Sequence, residues 1–152
     1  MKNFKFLSLI LAMFITISFT ACNNGVSEKA LVATKDDNNV KITMSFAADG
    51  DTIVYCEQVG EISKKSLNDA QKKALKNTAK DAEKLFDSLS GSKYDFQEKD
   101  DMYIETIKIP LEGKALKEVI KKKIMPISNE NATKLSLKQT KKILEEAGWT
   151  VK

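Results

Sequence analysis

The chain has 152 residues and a formal net charge of +4, from 25 basic and 21 acidic residues. Every basic residue is lysine and histidine is absent, so the sequence lacks the arginine fork that binds phosphate or carboxylate, the usual general base and the commonest metal ligand. The length is enough for one domain with one hydrophobic core. We therefore predict no metal site and no catalytic residue, and a charge this mild does not indicate a nucleic-acid partner.

The N-terminal segment has the order of a bacterial export signal. Lys2 and Lys5 give a basic start, residues 6–19 are mostly apolar, and small residues then lead to Cys22. The apolar run, about 14 residues, is shorter than the roughly 20 residues that a membrane-spanning helix needs. Residues 19–22, FTAC, resemble a lipobox, in which the cysteine sulfur receives diacylglycerol and the chain is cleaved before that residue. The alternatives are an uncleaved membrane anchor and an ordinary signal peptide.

Lipidation of this cysteine would divide the chain into three parts. Residues 1–21 are predicted to be a lipoprotein signal peptide, residues 22–39 the lipidated cysteine with a flexible tether, and residues 40–152 a single α/β domain. The tether contains few large apolar residues, although Leu31 and Val32 could add an edge strand. We expect the protein on the extracytoplasmic face of the cell membrane, held by the acyl chains of the diacylglycerol group, with no other cofactor.

Strict alternation of apolar and polar residues predicts a β-hairpin after the tether. The first strand covers residues 40–46, a tight turn follows at Gly50, and the second strand covers about residues 52–62. With a two-residue loop, Phe46 would face Ile53. The apolar rows of the two strands then match near the turn.

The second cysteine, Cys56, lies in the second strand of this hairpin. With Cys22 lipidated, Cys56 has no partner for a disulfide bond within the chain. A catalytic thiol would need an imidazole or another device to lower its pKa, and the sequence contains no imidazole. In the predicted register Cys56 lies on the face opposite Phe46, so we interpret it as a half-buried structural residue. The oligomeric state is not indicated.

One long helix and a second pair of strands follow the hairpin. Apolar residues recur at three- and four-residue steps from Ser66 to Leu89, which predicts a surface helix with one face on a sheet. Ser66 with Asp69 resembles a capping box. Two further strands are predicted near residues 93–97 and 102–109, because apolar and polar residues alternate there.

Two shorter helices complete the chain. Residues 111–124 predict an amphipathic helix, and a loop over residues 126–135 leads to a helix that begins at Ser136. Gly148 is placed to end this helix in a Schellman turn, and residues 149–151 could add a final strand. The pattern predicts an α+β fold in a single domain, in which one long helix and a C-terminal helix pack on an antiparallel sheet.

The order of these features resembles that of the YehR-like bacterial lipoproteins. The features are the lipobox signal, the hairpin, the long lysine-rich helix, the second pair of strands and the C-terminal segment LSLKQTKKILEEAGWTVK, residues 135–152. The resemblance implies a small α/β domain with helices packed on an antiparallel sheet. It implies no established enzymatic activity and no known catalytic residues, so no functional role is carried over to individual positions.

Four pairs of nearby carboxylates could suggest acid–base chemistry. Hydrolysis by two carboxyl groups needs them in different environments across a cleft. Neighbours in a strand point to opposite faces, and carboxylates in turns are usually solvated, so we interpret all four pairs as solvated. The pairs are Asp36-Asp37, Asp49/Asp51, Asp100-Asp101 and Glu145-Glu146.

The densest positive cluster lies in and after the shorter predicted helix. Near an anionic leaflet or envelope polymer, each lysine could contribute on the order of 1 kcal/mol to attraction. The alternative is a solvated helix face. We expect any contact with an anionic envelope component to use this cluster, which consists of Lys114, Lys117, Lys121, Lys122 and Lys123.

These observations favour a membrane-anchored extracytoplasmic lipoprotein that acts by binding or as part of the envelope structure, without catalysis. The alternative is a small envelope hydrolase whose carboxylate or lysine the sequence does not identify. That alternative requires a cleft with a perturbed carboxylate or a buried lysine. A transporter's substrate-binding component is disfavoured, because such proteins usually close two lobes around a ligand.

Overall fold

The computed structural model describes residues 25–37, 39–125, 127 and 129–152. Within these residues, six strands form a single sheet, and three α-helices pack on it. The strands are β1 (Ser27–Asp37), β2 (Val40–Asp49), β3 (Thr52–Ser63), β4 (Lys93–Glu98), β5 (Met102–Pro110) and β6 (Thr150–Val151). The helices are α1 (Asp69–Asp87), α2 (Gly113–Lys121) and α3 (Leu137–Glu146).

The strands are arranged in the order β4-β5-β3-β2-β1-β6, and every neighbouring pair is antiparallel. The first three strands follow one another directly. The chain then crosses through α1 to the edge strand β4 and returns as β5 beside β3. The predicted α+β fold, with a long helix and a C-terminal helix on an antiparallel sheet, is confirmed.

The predicted flexible tether is wrong for most of its length, because residues 27–37 form β1. Leu31 and Ala33 are buried on the inner face of the sheet, so this segment gains apolar contacts that a tether would lack. The strand is also not at the edge, since Ala33 pairs with Val151 of β6. Its alternation is short and flanked by charged residues, which explains why the sequence gives only a weak strand signal.

The β2–β3 hairpin forms, but its predicted register is wrong. Ala48 pairs with Ile53 beside the turn, and an irregularity then leaves Val54 without a partner in the ladder, so that Phe46 pairs with Cys56. A β-bulge of this kind inserts one residue into one strand and reverses the alternation beyond it. Cys56 consequently lies on the inner face with 2% of its surface exposed, not half-buried as predicted.

All three helices contribute to one core on the inner face of the sheet. Phe86 of α1, Leu116 of α2 and Leu144 of α3 belong to the same buried cluster as the apolar side chains of the central strands. The outer face carries cross-strand charge pairs, such as Lys41 with Glu61 at 3.2 Å. This division explains the alternation along each strand, because successive side chains point to opposite faces.

The helix α1 begins with a different cap from the one predicted. The Asn68 side chain accepts a hydrogen bond from the Gln71 backbone N–H at 2.9 Å, and the Gln71 side chain accepts one from the Asn68 backbone N–H at 2.8 Å. These two bonds form a capping box. Ser66 instead lies in a preceding 3-10 turn, where its hydroxyl donates to the Ser63 carbonyl. The predicted Ser66–Asp69 box is therefore wrong.

The helix α3 is bounded as predicted. The Gln139 backbone N–H donates to the Ser136 hydroxyl at 3.3 Å, which makes Ser136 the N-cap. At the other end, Gly148 has a φ of 78° and the Trp149 backbone N–H donates to the Leu144 carbonyl at 2.9 Å. This is the Schellman arrangement that the glycine indicates, and it turns the chain into β6.

Asp51, at the turn of the hairpin, also caps α3. Its carboxylate accepts hydrogen bonds from the Ser136 hydroxyl at 2.7 Å and from the Lys138 backbone N–H at 2.8 Å. A carboxylate at a helix N-terminus is favoured by the helix dipole. The interpretation of Asp51 as merely solvated is therefore wrong, since it joins the hairpin to α3.

Replacement of Cys56 tests the packing of this core. The thiol is enclosed by apolar side chains, and burial raises its pKa to about 12. We expect Cys56→Ser to lower the free energy of unfolding by about 2 kcal/mol, because it buries a hydroxyl where an apolar group fits. Urea unfolding of a chain that begins at Asn23, which contains every described strand and helix, measures the loss.

The matched control is Cys56→Ala, for which we expect a loss of about 1 kcal/mol. The thiol of the folded protein should resist alkylation by iodoacetamide at neutral pH and react only after unfolding. Rapid alkylation of the folded protein would contradict the burial of Cys56.

Candidate functional site

A polar gap interrupts the core on the inner face of the sheet. The main apolar cluster is separate from a second, smaller one that includes Ile62 and Tyr103. Between the two clusters lie Gln58 of β3 and Glu105 of β5, with 2% and 3% of their surfaces exposed. The strand register makes them neighbours, because Glu105 pairs with Gly60, two residues after Gln58 and on the same face of β3.

A cavity of about 420 Å³ lies at this gap, between α1 and the sheet. Ligand sites in proteins typically measure about 300–1,000 Å³ and have mostly apolar walls with a few polar groups. The apolar wall consists of Ala82, Leu85, Phe86, Ile107 and Ile124.

The Glu105 carboxyl group is the titratable group at the inner end of the cavity. It accepts a hydrogen bond from the Tyr94 hydroxyl at 2.7 Å. Burial raises the pKa of Glu105 to about 7, and the bond from Tyr94 offsets only part of this effect. Burial and the nearby carboxylate also raise the pKa of Tyr94 above its ordinary value. Tyr94 therefore stays a donor, while Glu105 changes its charge near neutral pH.

The Gln58 side chain adds a second buried polar group. Its Oε1 atom has no hydrogen-bond partner in the part of the chain that the structure describes. An unsatisfied buried acceptor costs about 1–3 kcal/mol, so most buried polar groups in folded proteins are paired. Gln58 lines the cavity, and its amide, with one acceptor and two N–H donors, is a polar group there that can pair with a donor or an acceptor.

An aromatic pair includes one of the residues that line the cavity. The rings of Phe86 and Tyr94 are stacked, with their centroids 5.7 Å apart and their planes 4° from parallel. Phe86 lines the cavity directly, and Leu85 beside it is 37% exposed. The cavity thus combines apolar contact area with polar groups at its inner end.

Two lysines of the predicted cluster, Lys122 and Lys123, line this cavity. Both are exposed and follow the end of α2, and Lys123 has a φ of 53°. The Lys122 ammonium donates to the Ser88 hydroxyl at 2.7 Å, which ties this turn to the end of α1. The structure therefore places two cationic groups at the mouth of the cavity.

The other three lysines of the cluster lie elsewhere. Lys114, Lys117 and Lys121 are all exposed, and their three- and four-residue spacing puts them on one side of α2. Lys114 is 3.5 Å from the Glu118 carboxylate. The predicted cluster is thus divided between a helix face and the cavity mouth, and contact with an anionic envelope component stays a prediction.

Two further carboxylates with shifted pKa values have structural roles. Glu98 accepts hydrogen bonds from Lys76 at 2.6 Å and from Lys64 at 3.0 Å, which together lower its pKa to about 2. Glu118 accepts from the Ser90 backbone N–H at 2.8 Å, which lowers the pKa of Glu118 and fixes α2 to the turn after α1. Both hold neighbouring elements together and lie outside the cavity.

The remaining site predictions are not tested by this geometry. Cys22 lies outside the described residues, so its lipidation stays a prediction. Across the described ranges, no three His, Cys, Asp or Glu side chains are placed to hold a metal ion together. None of the helices in these ranges has the length and apolar character needed to cross a membrane.

Gln58 and Glu105 are the site residues that sequence analysis misses. Ile109, Ile107 and Glu105 are spaced two residues apart along β5, so strict alternation predicts that all three face the core. Acidic residues are rarely buried, which argues against that assignment when only the sequence is known. Gln58 is missed because of the bulge in β3. The bulge reverses the alternation of the strand, so Gln58 faces the core where the regular pattern places it on the outer face.

Comparison with known proteins places the fold in a family. Residues 16–150 match a family described as "Protein of unknown function (DUF1307)". The chain belongs to this family. Nothing among the curated proteins matches the chain.

Two solved structures support the same fold. The NMR structure of the E. coli YehR protein is 16% identical, with a TM-score of 0.61, over 84% of this chain and 93% of that one. The NMR structure of a protein from Streptococcus pneumoniae TIGR4 is 15% identical, with a TM-score of 0.53, over 91% of this chain and 92% of that one. The predicted resemblance to YehR-like proteins is confirmed, and at these identities the likeness concerns the fold alone.

Replacement of Glu105 by glutamine tests the burial of this carboxyl group in the DUF1307 fold. Its pKa is raised from 4.5 to about 7 in the folded protein, so the folded protein holds the proton more tightly than the unfolded chain. The free energy of unfolding therefore falls as pH rises between these values and stays low above pH 7. Glu105→Gln keeps an acceptor for Tyr94 but cannot ionise. We expect the variant to be more stable than the original protein by on the order of 3 kcal/mol near pH 8, and equal to it near pH 4.

Urea unfolding at both pH values measures the difference. The exposed residue Glu130 provides the control, since Glu130→Gln should show no such dependence on pH. Equal stability of Glu105→Gln and the original protein near pH 8 would show that the carboxyl group is not desolvated in the folded state.

Proposed function

We propose that the protein is a lipid-anchored extracytoplasmic lipoprotein that binds a small ligand in the cavity between α1 and the sheet, without catalysis. The predicted export signal of residues 1–21, directly before Cys22, supports the anchor. The size of the cavity and its mixed lining support the binding role. Membership of the DUF1307 family specifies no role, so the support for binding comes from the geometry of the site.

The unpaired Oε1 atom of Gln58 is the observation that carries the binding role. A fully apolar side chain would pack this part of the core without the penalty of an unsatisfied acceptor. Gln58 thus weakens the core locally, and a ligand that fills the cavity and forms a hydrogen bond with the Gln58 amide would compensate for this loss.

One observation favours the hydrolase alternative, because a carboxyl group with a pKa near 7 suits general acid–base catalysis. Hydrolysis also needs a nucleophile or a second carboxyl group in a defined position. Among the residues that line the cavity, the Thr78 hydroxyl already donates to the Ala74 carbonyl. Asp81 is exposed and lies 3.9 Å from the Lys84 ammonium. The available groups therefore fit ligand binding better than hydrolysis.

Filling the cavity should abolish binding of an apolar probe. The probe is 8-anilinonaphthalene-1-sulfonate, whose rings fit the apolar wall and whose sulfonate fits the cationic mouth. Ala82 is buried and lines the cavity, so Ala82→Leu places three additional carbon atoms in it. We expect this variant to weaken probe binding at least about tenfold, which corresponds to about 1.4 kcal/mol. Titration of the isotope-labelled protein, followed by NMR, measures affinity and location together.

The control is Ala74→Leu, on the exposed side of the same helix. It should bind the probe like the original protein, with shift changes centred on the amides of Gln58, Ala82 and Glu105. Equal affinities of the two leucine variants, or shift changes confined to the outer face of the sheet, would exclude the cavity as the binding site.

The anchor is tested separately in cells that incorporate labelled palmitate. Cys22→Ser should lose the label and either enter the medium or accumulate as an unprocessed precursor, because the two acyl chains of a diacylglycerol group hold a protein stably at a membrane. Cys56→Ala is the control and should keep both the label and the membrane location. Normal cleavage with unchanged membrane retention of the Cys22→Ser protein would contradict the anchor.

A further inference from the structure

The inner end of the cavity presents hydrogen-bond acceptors. Gln58 Oε1 has no partner within the described residues, and the hydrogen bond that Glu105 accepts from Tyr94 uses only its Oε1 atom. The ionised Glu105 carboxylate pairs only with a donor, whereas the Gln58 amide carries donors and an acceptor and can pair with either. Glu105 therefore gives the inner end its preference for a donor group.

The same end favours a cationic donor. The Glu105 carboxylate takes part in none of the ion pairs found in the described ranges, so its charge is uncompensated when it ionises. Phe86 lines the cavity as well, and one face of its ring is stacked on Tyr94. An ammonium group would thus gain an ion pair and a hydrogen bond at Glu105.

The mouth of the cavity has the opposite preference. Lys122 and Lys123 line it, and Ser88 holds the Lys122 ammonium in position at 2.7 Å. Asp81 also lines the cavity, but the Lys84 ammonium lies 3.9 Å from it. The local balance therefore favours an acidic group at the outer end of a ligand.

We propose, as an extension of the binding role proposed above, that the ligand is a small molecule with a primary amine at one end and an acidic group at the other, joined by an apolar chain. The amine binds between Gln58 and Glu105, the chain contacts Leu85 and Phe86, and the acidic group lies at the two lysines of the mouth. Water would satisfy the acceptors equally well in a cavity that binds no such molecule. The test must therefore compare ligands that differ only in the amine.

Matched linear molecules provide this comparison. The probe is 6-aminohexanoate, compared with hexanoate, which lacks the amine, and with hexylamine, which lacks the acid. Titrations near pH 8 are followed by NMR on the chain that begins at Asn23, and homologues from 4-aminobutanoate to 8-aminooctanoate identify the preferred length. We expect the best amino acid of the series to bind at least about tenfold more tightly than its matched acid or amine, since each lacks one charged contact.

The dependence on pH identifies the carboxyl group that is involved. Asp81 from α1 and the two lysines after α2, Lys122 and Lys123, line the cavity together with Glu105, and Tyr94 from β4 donates its hydroxyl to Glu105. The pKa of Glu105 is about 7, and the raised pKa of Tyr94 keeps that hydroxyl protonated. Affinity for the amino acid should rise about tenfold from pH 6 to pH 8 as the carboxylate forms, while affinity for the matched acid should not.

Substitutions separate the two ends of the ligand. Glu105→Gln and Gln58→Met should each remove the preference for the amine and leave binding of the matched acid and of the naphthalene sulfonate probe intact. Replacement of both Lys122 and Lys123 by glutamine should weaken every acidic probe, whereas Lys121→Gln, at the exposed end of α2, should change nothing. If one of the two variants at the inner end does not fold, the other still tests the role of that end.

Three outcomes distinguish the proposals. A preference for the amine that Glu105→Gln abolishes supports this inference. Equal binding of 6-aminohexanoate and hexanoate, across the homologues, would overturn the inference and leave a binding cavity for apolar acids. Absence of binding by every probe, the naphthalene sulfonate included, would overturn the binding role as well.

Discussion

Two polar side chains buried on one face of a sheet determine how this domain is assembled. Apolar packing cannot continue across Gln58 and Glu105, because each carries a polar group that needs a partner or a solvated space. The core is accordingly divided into two clusters, and the cavity lies beside the larger one, at Gln58 and Glu105. The helix α1 crosses this division, and its buried residues Leu75 and Phe86 belong to different clusters. The helix α1 is thus long enough to contribute side chains to both clusters.

The sequence predicts those parts of the structure that depend on local chemistry. Ser136 and Gly148 mark both ends of α3, because a cap and a left-handed residue act within a few positions of the chain. The hairpin register and strand β1 depend on partners that lie far away or on the opposite side of a bulge, and their local signals are weak. Glu105 is missed for a different reason, since the general rarity of buried carboxyl groups outweighs the alternation that places it inside. Hydrophobic patterning predicts apolar residues in the core, so it does not identify a site that consists of buried polar residues.

Residues 27–37 form a strand of the sheet where a flexible tether was expected, so the folded domain begins close to its proposed anchor. Ser27 follows Cys22 by only five positions, which corresponds to at most about 17 Å of extended chain. That upper limit is about twice the roughly 8 Å over which exposed charges interact at physiological salt. With a lipid on Cys22, the start of β1 would therefore come within electrostatic range of the headgroups only when residues 22–27 span less than about half of this limit.

The pairing of β1 on both sides has a mechanical consequence. The anchor would pull on the N-terminal end of β1, and this strand is bound to β2 along one side and to β6 along the other. The backbone of Val32 exchanges two hydrogen bonds with Lys152, at 3.1 and 2.8 Å, which extend the short β1–β6 ladder. Antiparallel hydrogen bonds lie perpendicular to the strands. A force directed along β1 therefore shears hydrogen bonds on both sides of the strand at once instead of peeling one ladder open, and residues 150–152 add resistance to the strand that would bear the load.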